Sequence, residues 1–399
     1  MRHSENGRRP TTCQPQESNK SKTGHARAKI ADLFGGVGGF SLGAVRAGFE
    51  VAIAIDLDRH AIAGHKRNFP NTEHSRRNIA SLTGDDLLYI AKLNGEKLVG
   101  IIGGPPCQGF SIIGHRRKND SRNQLFYHFF RLVSEIKPLF FVAENVPGIL
   151  NPKYEELRHD SLKLVSRSYT VVGPFTLCAS DYGAATIRSR VFFVGVARRL
   201  KTTISARDFT NKKRSRGNSV RTAFSGLPKT IRSFWQTENC SWRRVEKPKS
   251  AYLATINRLC ENSVGDLDAI SRFREKQEVS GFLGTKHKAS VRRRFSRVAP
   301  GSTEKTSKFP RLSWNGLCPT LRAGTDHRRG SYQAVRPIHP DENRVIAPRE
   351  AARLQGFPDW FQFSPTKWHS FRQIGNSISP LVAEAVLDII RCKLFSDRA

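Results

Sequence analysis

Cys107 stands in the run Gly103-Gly104-Pro105-Pro106-Cys107-Gln108-Gly109-Phe110-Ser111, directly after the apolar segment Leu98 to Ile102. Two prolines restrict the backbone ahead of the thiol, while Gly109 and Gly114 leave the following loop free to move. That combination suits a nucleophile on a closing lid. The run His115-Arg116-Arg117-Lys118 adds cations able to grip phosphates on closure. Glu144-Asn145-Val146 follows a second apolar segment, Leu139 to Ala143. If the two segments are strands of one parallel sheet, thiol and carboxyl meet at its carboxyl edge, where open α/β sheets bind ligands. A glutamate kept protonated by burial and set at N3 of a pyrimidine makes C6 electrophilic enough for a thiolate. Taken singly, each residue has a plainer reading. A lone cysteine is commonly a buried small hydrophobe, and an acid at a strand end commonly caps a helix or faces water.

A third feature precedes both. Asp32-Leu33-Phe34-Gly35-Gly36-Val37-Gly38-Gly39-Phe40 follows the apolar segment Ile30 to Phe34 and opens a predicted helix. Its glycines let backbone approach a ligand closely, but their spacing is not the G-x-G-x-x-G of dinucleotide folds. Asp56, at the end of the segment Val51 to Ile55, lies about 20 residues on, where an acid accepts hydrogen bonds from ribose hydroxyls. Loop and acid together imply a nucleoside-containing cofactor. The plainer alternative is a tight strand-to-helix turn with a surface aspartate.

The elements that must position these groups are short apolar runs separated by glycine turns and helical stretches, the pattern of a parallel sheet covered by helices on both faces. Strands are expected at Ile30–Phe34, Val51–Ile55, Leu98–Ile102 and Leu139–Ala143, with an amphipathic helix over Asn123–Ile136 whose Leu125, Phe129, Leu132 and Ile136 recur at helical spacing. Residues 1–28 are polar, basic and almost free of aliphatic side chains, and are expected to be disordered. The catalytic region is placed at 29–197, closing with a hairpin-like run at Arg190–Ala197. From 198 to 335 basic clusters, glycines and isolated aromatics replace regular alternation. Helical periodicity returns at Arg349–Gln355 and Leu381–Phe395, so 336–399 is expected to rejoin the first region.

Composition narrows the partner. The 399 residues carry a formal net charge of +33, far more than a small acidic substrate requires, and point to a polyanion. The seven cysteines are odd in number and scattered, with no spacing that suggests a disulfide framework or a zinc site, so no metal is expected and a reducing compartment fits best. No apolar run approaches the roughly 20 residues needed to cross a bilayer, which predicts a soluble, intracellular protein.

In combination these residues resemble the cytosine-C5 DNA methyltransferase family, which carries a D-L-F-x-G-x-G-G loop, a P-P-C-Q loop and an E-N-V strand end in this order. The likeness continues in Asp120-Ser121-Arg122-Asn123-Gln124-Leu125-Phe126, in Arg188-Ser189-Arg190, in Arg349-Glu350-Ala351-Ala352-Arg353-Leu354-Gln355-Gly356-Phe357-Pro358 and in Gly375-Asn376-Ser377. It brackets nearly the whole chain beyond the first 28 residues, leaving mainly the basic region after Arg198 unmatched. The resemblance implies an α/β fold, with a Rossmann-like S-adenosylmethionine-dependent methyltransferase sheet and a smaller, irregular target-recognition domain. It implies Cys107 as nucleophile at C6, Glu144 at N3 and the exocyclic amine, Arg190 at O2 of a flipped cytosine, and Arg188 supporting the closed loop. It places S-adenosylmethionine against Phe34, Gly36, Gly38, Asp56, Leu57, Asn78, Ile79, Pro105, Leu125, Asn376 and Ile378. DNA contacts are expected from Gln108, Ser111 and Arg116 in the loop and from Arg292, Arg293 and Arg328 in the basic region, with phosphates or guanine edges as targets. Three positions depart from the family pattern: Asp56 stands where Glu is usual, Asn78 where Asp is usual, and Ala185-Thr186 where Pro-Gln is usual.

The implied product is 5-methylcytosine in duplex DNA, made by a bacterial or phage enzyme of restriction-modification type, cytoplasmic and nucleoid-associated, acting as a monomer, with a cognate endonuclease as a possible second partner at the same site. Two alternatives stay open from the residues alone. A tRNA cytosine methyltransferase belongs to the same family, although the C-F-T sequence of that branch is absent here and the basic insertion is long. A catalytically silent DNA-binding relative would account for Asn78 and Thr186, but not for the intact Pro106-Cys107-Gln108 and Glu144-Asn145-Val146. An oxidoreductase would need another glycine spacing and leaves Cys107, Glu144 and the charge without a role.

Overall fold

The computed structural model describes residues 27–106, 124–211, 217–260 apart from 248, 264–323 and 336–395, and all of these but the side chain at 240. The chain begins as a regular alternation: β1 (Lys29–Leu33), α1 (Gly39–Arg46), β2 (Glu50–Ile55), α2 (Arg59–Asn68), β3 (Glu73–Ser75), α3 (Gly84–Ile90), β4 (Leu98–Gly103), α4 (Gln124–Ile136), β5 (Phe140–Asn145), α5 (Glu155–Ser166) and β6 (Tyr169–Cys178). A short strand β7 (Thr186–Ile187) then leads into β8 (Ser189–Ala197). Seven strands form the central sheet in the order β3-β2-β1-β4-β5-β8-β6. β8 runs antiparallel to both β5 and β6, while the other six share one direction.

The central strands are apolar along most of their length because both faces are covered, with polar residues confined to their ends and to Asp32. Successive residues alternate between two hydrophobic layers, Ile30, Phe140, Val142 and Val194 on one side and Ala31, Phe141, Ala143 and Phe193 on the other. Phe126, Phe129, Leu132 and Val133 of α4 are wholly buried in the second layer; of the four positions the spacing singled out, Phe129 and Leu132 lie in this core while Leu125 and Ile136 are only half-buried. The four expected strands appear as β1, β2, β4 and β5, each within two residues of its expected bounds, and α4 begins one residue later than expected.

Beyond β8 the elements shorten: α6 (Ala206–Thr210), α7 (Val220–Phe224), β9 (Arg243–Arg244), α8 (Ala251–Asn257), α9 (Leu267–Ser271), β10 (Glu278–Val279), α10 (Ala289–Ser296) and β11 (Cys318–Pro319). β9 and β10 form a two-stranded antiparallel ribbon, and β11 pairs with β7. Three helices close the chain, α11 (Pro348–Gln355), α12 (Lys367–Asn376) and α13 (Pro380–Phe395), with α13 packed on α1. The irregular region is fastened to the sheet-bearing part through buried polar contacts. Arg353 pairs with Asp359 and donates to Ala223 O and Ser225 O, and Asn257 bonds both Asp359 and Trp360. Among the described residues no helix is long and apolar enough to cross a membrane.

Candidate active site

Because β8 lies antiparallel beside β5, its first residues meet the last residues of β5, with Glu144 opposite Phe192 and Asn145 opposite Val191. Arg190 therefore reaches Glu144, its Nε 2.7 Å from Oε1, and each side chain is only 12% exposed. Burial pushes the Glu144 carboxyl above the ordinary glutamate value, and the attraction of Arg190 and Arg188 offsets only part of that push. A carboxyl in this setting carries a proton at higher pH than an exposed one. The end of β4 arrives at the same place. A β-carbon on Gly104 would lie 2.8 Å from Glu144 Oε2, and Asn145 Nδ2 donates to Pro105 O at 3.4 Å. Gly104 is thus small because the carboxylate occupies the space a side chain would take. Cys107, Gln108, Ser111 and Arg116 lie outside the described residues, but the segment leading to them starts against Glu144.

Two buried residues upstream of Arg190, Thr186 and Arg188, bear on a departure noted above. Thr186 is wholly buried, and its Oγ1 donates to Cys318 O at 3.0 Å, stitching β7 to β11. Arg188 is buried too, and donates to Leu321 O at 3.1 Å and to Gly375 O at 2.9 Å. A β-carbon on Gly375 would come within 2.6 Å of Ala323 N, so residues 321–323 run backbone to backbone against the end of α12. The start of β8 thus carries Arg190 on the acid, and Arg188, in the join between β7 and β8, reaches Gly375 beside Asn376.

The expected cofactor residues line the same edge at β1 and β2. Phe34, Gly36 and Gly38 have φ of 66°, 57° and 102°, a left-handed path that the two glycines adopt without strain and that lets backbone approach a ligand closely. Asp56 accepts from Gly36 N at 3.0 Å and from Asp58 N at 2.8 Å, and burial raises its carboxyl above the usual range. Leu57 beside it is 55% exposed, an apolar face free for a planar ring. Asn78 accepts from Ala80 N at 3.0 Å and caps the short turn holding the buried Ile79, so its amide group substitutes for a carboxylate as a cap. Pro105 and Ile378 are buried, Leu125 half-buried and Asn376 exposed. The backbone of Ile378 comes so close to Gly39 that a β-carbon there would meet Ile378 O at 2.6 Å. Strand end, helix start and the α12–α13 turn therefore converge on one loop.

Sequence reasoning passed over a buried polar chain beneath this loop. Asp32 is 1% exposed, and its Oδ2 accepts from Ser41 Oγ at 2.6 Å. His65 Nε2 lies 3.0 Å from the same hydroxyl, and His65 Nδ1 lies 2.9 Å from His74 Nε2. Burial raises the Asp32 carboxyl to about 7. Its Oδ1 is buried and makes no hydrogen bond among the described residues. The available signal was a single one: an acid inside an apolar run, one residue before the end of β1. The glycine path, the acid at β2, the exposed Leu57 and the orphaned Oδ1 fit a compact cationic nucleoside better than a diphosphate, for which neither the glycine spacing nor a cation is present in the loop.

The recognition candidates divide. Arg328 lies outside the described residues, whereas Arg292 and Arg293 stand exposed on α10. That helix is anchored by Phe295 in a small cluster with Ile338 and Val345 and by Arg311 Nη2, which donates to Phe295 O at 2.6 Å. On the ribbon, the Arg243 guanidinium lies 3.5 Å from the centre of the Trp235 ring, next to Phe234, which is 71% exposed.

Comparisons with known proteins agree with this geometry. The family model described as C-5 cytosine-specific DNA methylase matches residues 28–392. The type II methyltransferase M.XorII of Xanthomonas oryzae pv. oryzae is 39% identical over 357 residues, covering 89% of this chain and 82% of the relative. M.DdeI of Desulfomicrobium norvegicum is 31% identical, covering 90% of this chain and 88% of its own. Among solved structures, a candidate DNA modification methyltransferase encoded within an E. coli prophage superposes with a TM-score of 0.82 at 46% identity, covering 92% of this chain and 99% of that one. The S. pombe Dnmt2 methyltransferase, at 18% identity and a TM-score of 0.60, shares the fold.

Proposed function

The chain belongs to the C-5 cytosine-specific DNA methylase family and is a DNA cytosine methyltransferase, and from that premise we propose that Cys107 is its nucleophile, Glu144 its acid and a flipped-out cytosine of duplex DNA its target. One juxtaposition supports this reading: the Glu144 carboxyl, bound to Arg190 at 2.7 Å, abuts the Gly104 backbone of the segment that leads to Cys107. The Cys107 thiolate adds to C6 of the base while the protonated Glu144 hydrogen-bonds N3, so electron density accumulates at C5. Arg190, with Nε committed to Glu144 and Nη1 donating to Ser189 O at 2.7 Å, turns Nη2 to O2 and keeps the ring in plane with the acid. Phe34, Gly36, Gly38, Asp56, Leu57, Asn78, Ile79, Pro105, Leu125, Asn376 and Ile378 would hold S-adenosylmethionine, which when bound supplies an electrophilic methyl group. Once C5 has been methylated, departure of its proton lets the Cys107 thiolate leave and restores the aromatic ring.

The base must leave the duplex to reach this edge of the sheet, and contacts to the flanking phosphates offset part of the unstacking cost. Gln108, Ser111 and Arg116 of the loop take the strand beside the target, and residues 198–335, with Arg292, Arg293 and Arg328 among them, read the surrounding sequence. The reading extends to a monomer acting on nucleoid DNA in the cytoplasm, with a restriction endonuclease of the same specificity as partner. The relatives named type II methyltransferases support that last point.

Transfer of a labelled methyl group to duplex DNA and to tRNA, with intact protein and with Cys107→Ser, tests the proposal when followed by bisulfite sequencing. Expected is label at C5 of cytosines within one short motif, lost in the variant. Label on tRNA alone, or label that survives Cys107→Ser, would sink it.

A further inference from the structure

The amino edge of the central sheet, opposite the active site, carries a cluster of cations that the reaction does not use. Lys137 follows α4, Lys163 and Arg167 belong to α5 and its end, and Arg198, Arg199 and Lys201 follow β8. All six are exposed. Hydrogen bonds hold their backbones together: Arg198 N donates to Ser168 O at 2.9 Å, Ala197 N to Leu139 O at 2.8 Å, and the Arg199 guanidinium to Lys137 O at 3.2 Å. Since β5 separates Leu139 from Glu144, the patch stands roughly 16 Å or more from the acid.

The same edge shows what ordinary surface lysines do here. Toward β1, β2 and β3, Lys29 pairs with Glu50 and Glu96, and Lys92 pairs with Glu73. Toward β5, β8 and β6, no ion pair is formed by any of the six cations among the described residues. The acids nearest in sequence are engaged elsewhere, Glu135 with Arg131 and Gly84 N, Asp160 with His159, and Asp208 with Lys393. Cations at helix ends complement the helix dipole, and this accounts for Arg198 and Arg199, which donate to Ser166 O and Lys137 O. Lys163 in the last turn of α5 and Arg167 at its end serve the dipole in the same way, which leaves Lys201, and the gathering of six cations with no ion pair among the described residues, without that account. Lys137 and Lys201 moreover adopt φ of 54° and 51°, a left-handed conformation that costs any residue with a β-carbon and that glycine or asparagine adopts more readily.

We propose that this amino-edge patch binds the phosphate backbone of a second stretch of duplex DNA while the first occupies the catalytic cleft. A concentrated, unpaired positive field selects a polyanion. The substrate is itself such a polymer, so whenever the enzyme is docked its distal segments are present at high effective concentration. The patch thus lets one molecule bridge two segments, which raises retention on long DNA without touching the chemistry.

The test is the triple variant Lys163→Glu, Arg167→Glu, Lys201→Glu, three exposed positions outside the active site. Binding to a duplex of about 16 base pairs carrying the methylation motif is compared with binding to one of about 500, well beyond the roughly 150-base-pair persistence length, across a salt series. On the long duplex the variant should bind at least tenfold more weakly, with the slope of log K against log salt shallower by about 2 to 3, since each lost phosphate contact removes about 0.9. On the short duplex its affinity and rate of methyl transfer should stay within twofold, which separates failure here from failure of the proposed reaction. Replacement of the same positions by Lys or Arg in swapped order should retain the wild-type slope. An unchanged slope on the long duplex, or equal loss on both lengths, overturns the proposal. So does a wild-type preference of the patch for structured RNA over long duplex DNA that the variant loses.

Discussion

At the carboxyl edge of the sheet Glu144 and Arg190 meet in one ion pair, both 12% exposed, and Arg188 is spent on two backbone carbonyls. At the amino edge Lys163, Arg167 and Lys201 are exposed and form no ion pair among the described residues. The two ends of the same strands therefore use charge in opposite ways. A buried charge interacts through a medium of low polarizability, so its position and protonation are set by a few neighbours and one substitution is felt in full. Exposed charges are screened within about 8 Å at physiological salt and act as a sum, so any one of them is nearly dispensable.

The largest effect expected from this contrast is at Glu144. Glu144→Gln, which preserves size but cannot supply a proton, should lower single-turnover methyl transfer about 10²–10⁴-fold, with an unchanged circular dichroism spectrum. A variant keeping more than a tenth of the rate would erase the distinction between the two edges. Because burial raises the Glu144 carboxyl, the wild-type rate should also persist to higher pH than an exposed glutamate permits, falling as that proton is lost.

Next in size is a pH effect at Asp32. Its folded carboxyl titrates at about 7, above the roughly 3.9 of an unfolded aspartate. The fold therefore prefers the protonated form. Its contribution is complete below about pH 4 and is lost as pH rises toward 7, by up to about 4 kcal/mol. Urea midpoints at pH 5 and pH 7.5 should consequently fall more for the wild type than for Asp32→Asn, whose amide stays neutral throughout. Parallel midpoints would show that Asp32 is already ionised at pH 5.

The smallest effect belongs to the amino edge. Lys163→Ala alone should change stability by less than about 0.5 kcal/mol and leave methyl transfer to a short duplex untouched, as thermal melts and the labelled-methyl assay would show. A large loss from this single change would mean that the patch holds one specific contact, not a summed field.

Legibility in the sequence followed burial. β1, β2, β4 and β5 could be read because strands covered on both faces are continuous apolar runs. β6 escaped because Gly173-Pro174 interrupts Tyr169–Cys178. A proline is tolerated there since β6 is the last strand of the sheet, pairs only with β8 and shifts register between Val172 and Phe175. β3 is three polar-leaning residues, Glu73-His74-Ser75, and offers no periodicity to detect. At the site, the residue types of Glu144, Arg188 and Arg190 were legible as a pattern, whereas the partners of Arg188 and the Asp32-Ser41-His65-His74 chain were not, because they join elements distant in sequence.

The sequence by itself determined the chemistry available and the scaffold class: a thiol after two prolines, an acid at a strand end, a glycine loop spaced for something other than a dinucleotide, and alternating apolar runs that commit to a layered α/β fold. These follow from side-chain type and local spacing, which folding does not alter. Only the tertiary structure decided which charges are buried and paired and which are left in solvent. Those properties depend on β8 being laid antiparallel beside β5, bringing Arg190 to Glu144 at one end and gathering Lys137, Arg167 and Arg198 at the other. Electrostatic strength is a consequence of the surrounding packing, and packing belongs to the assembled fold, not to any one segment of the chain.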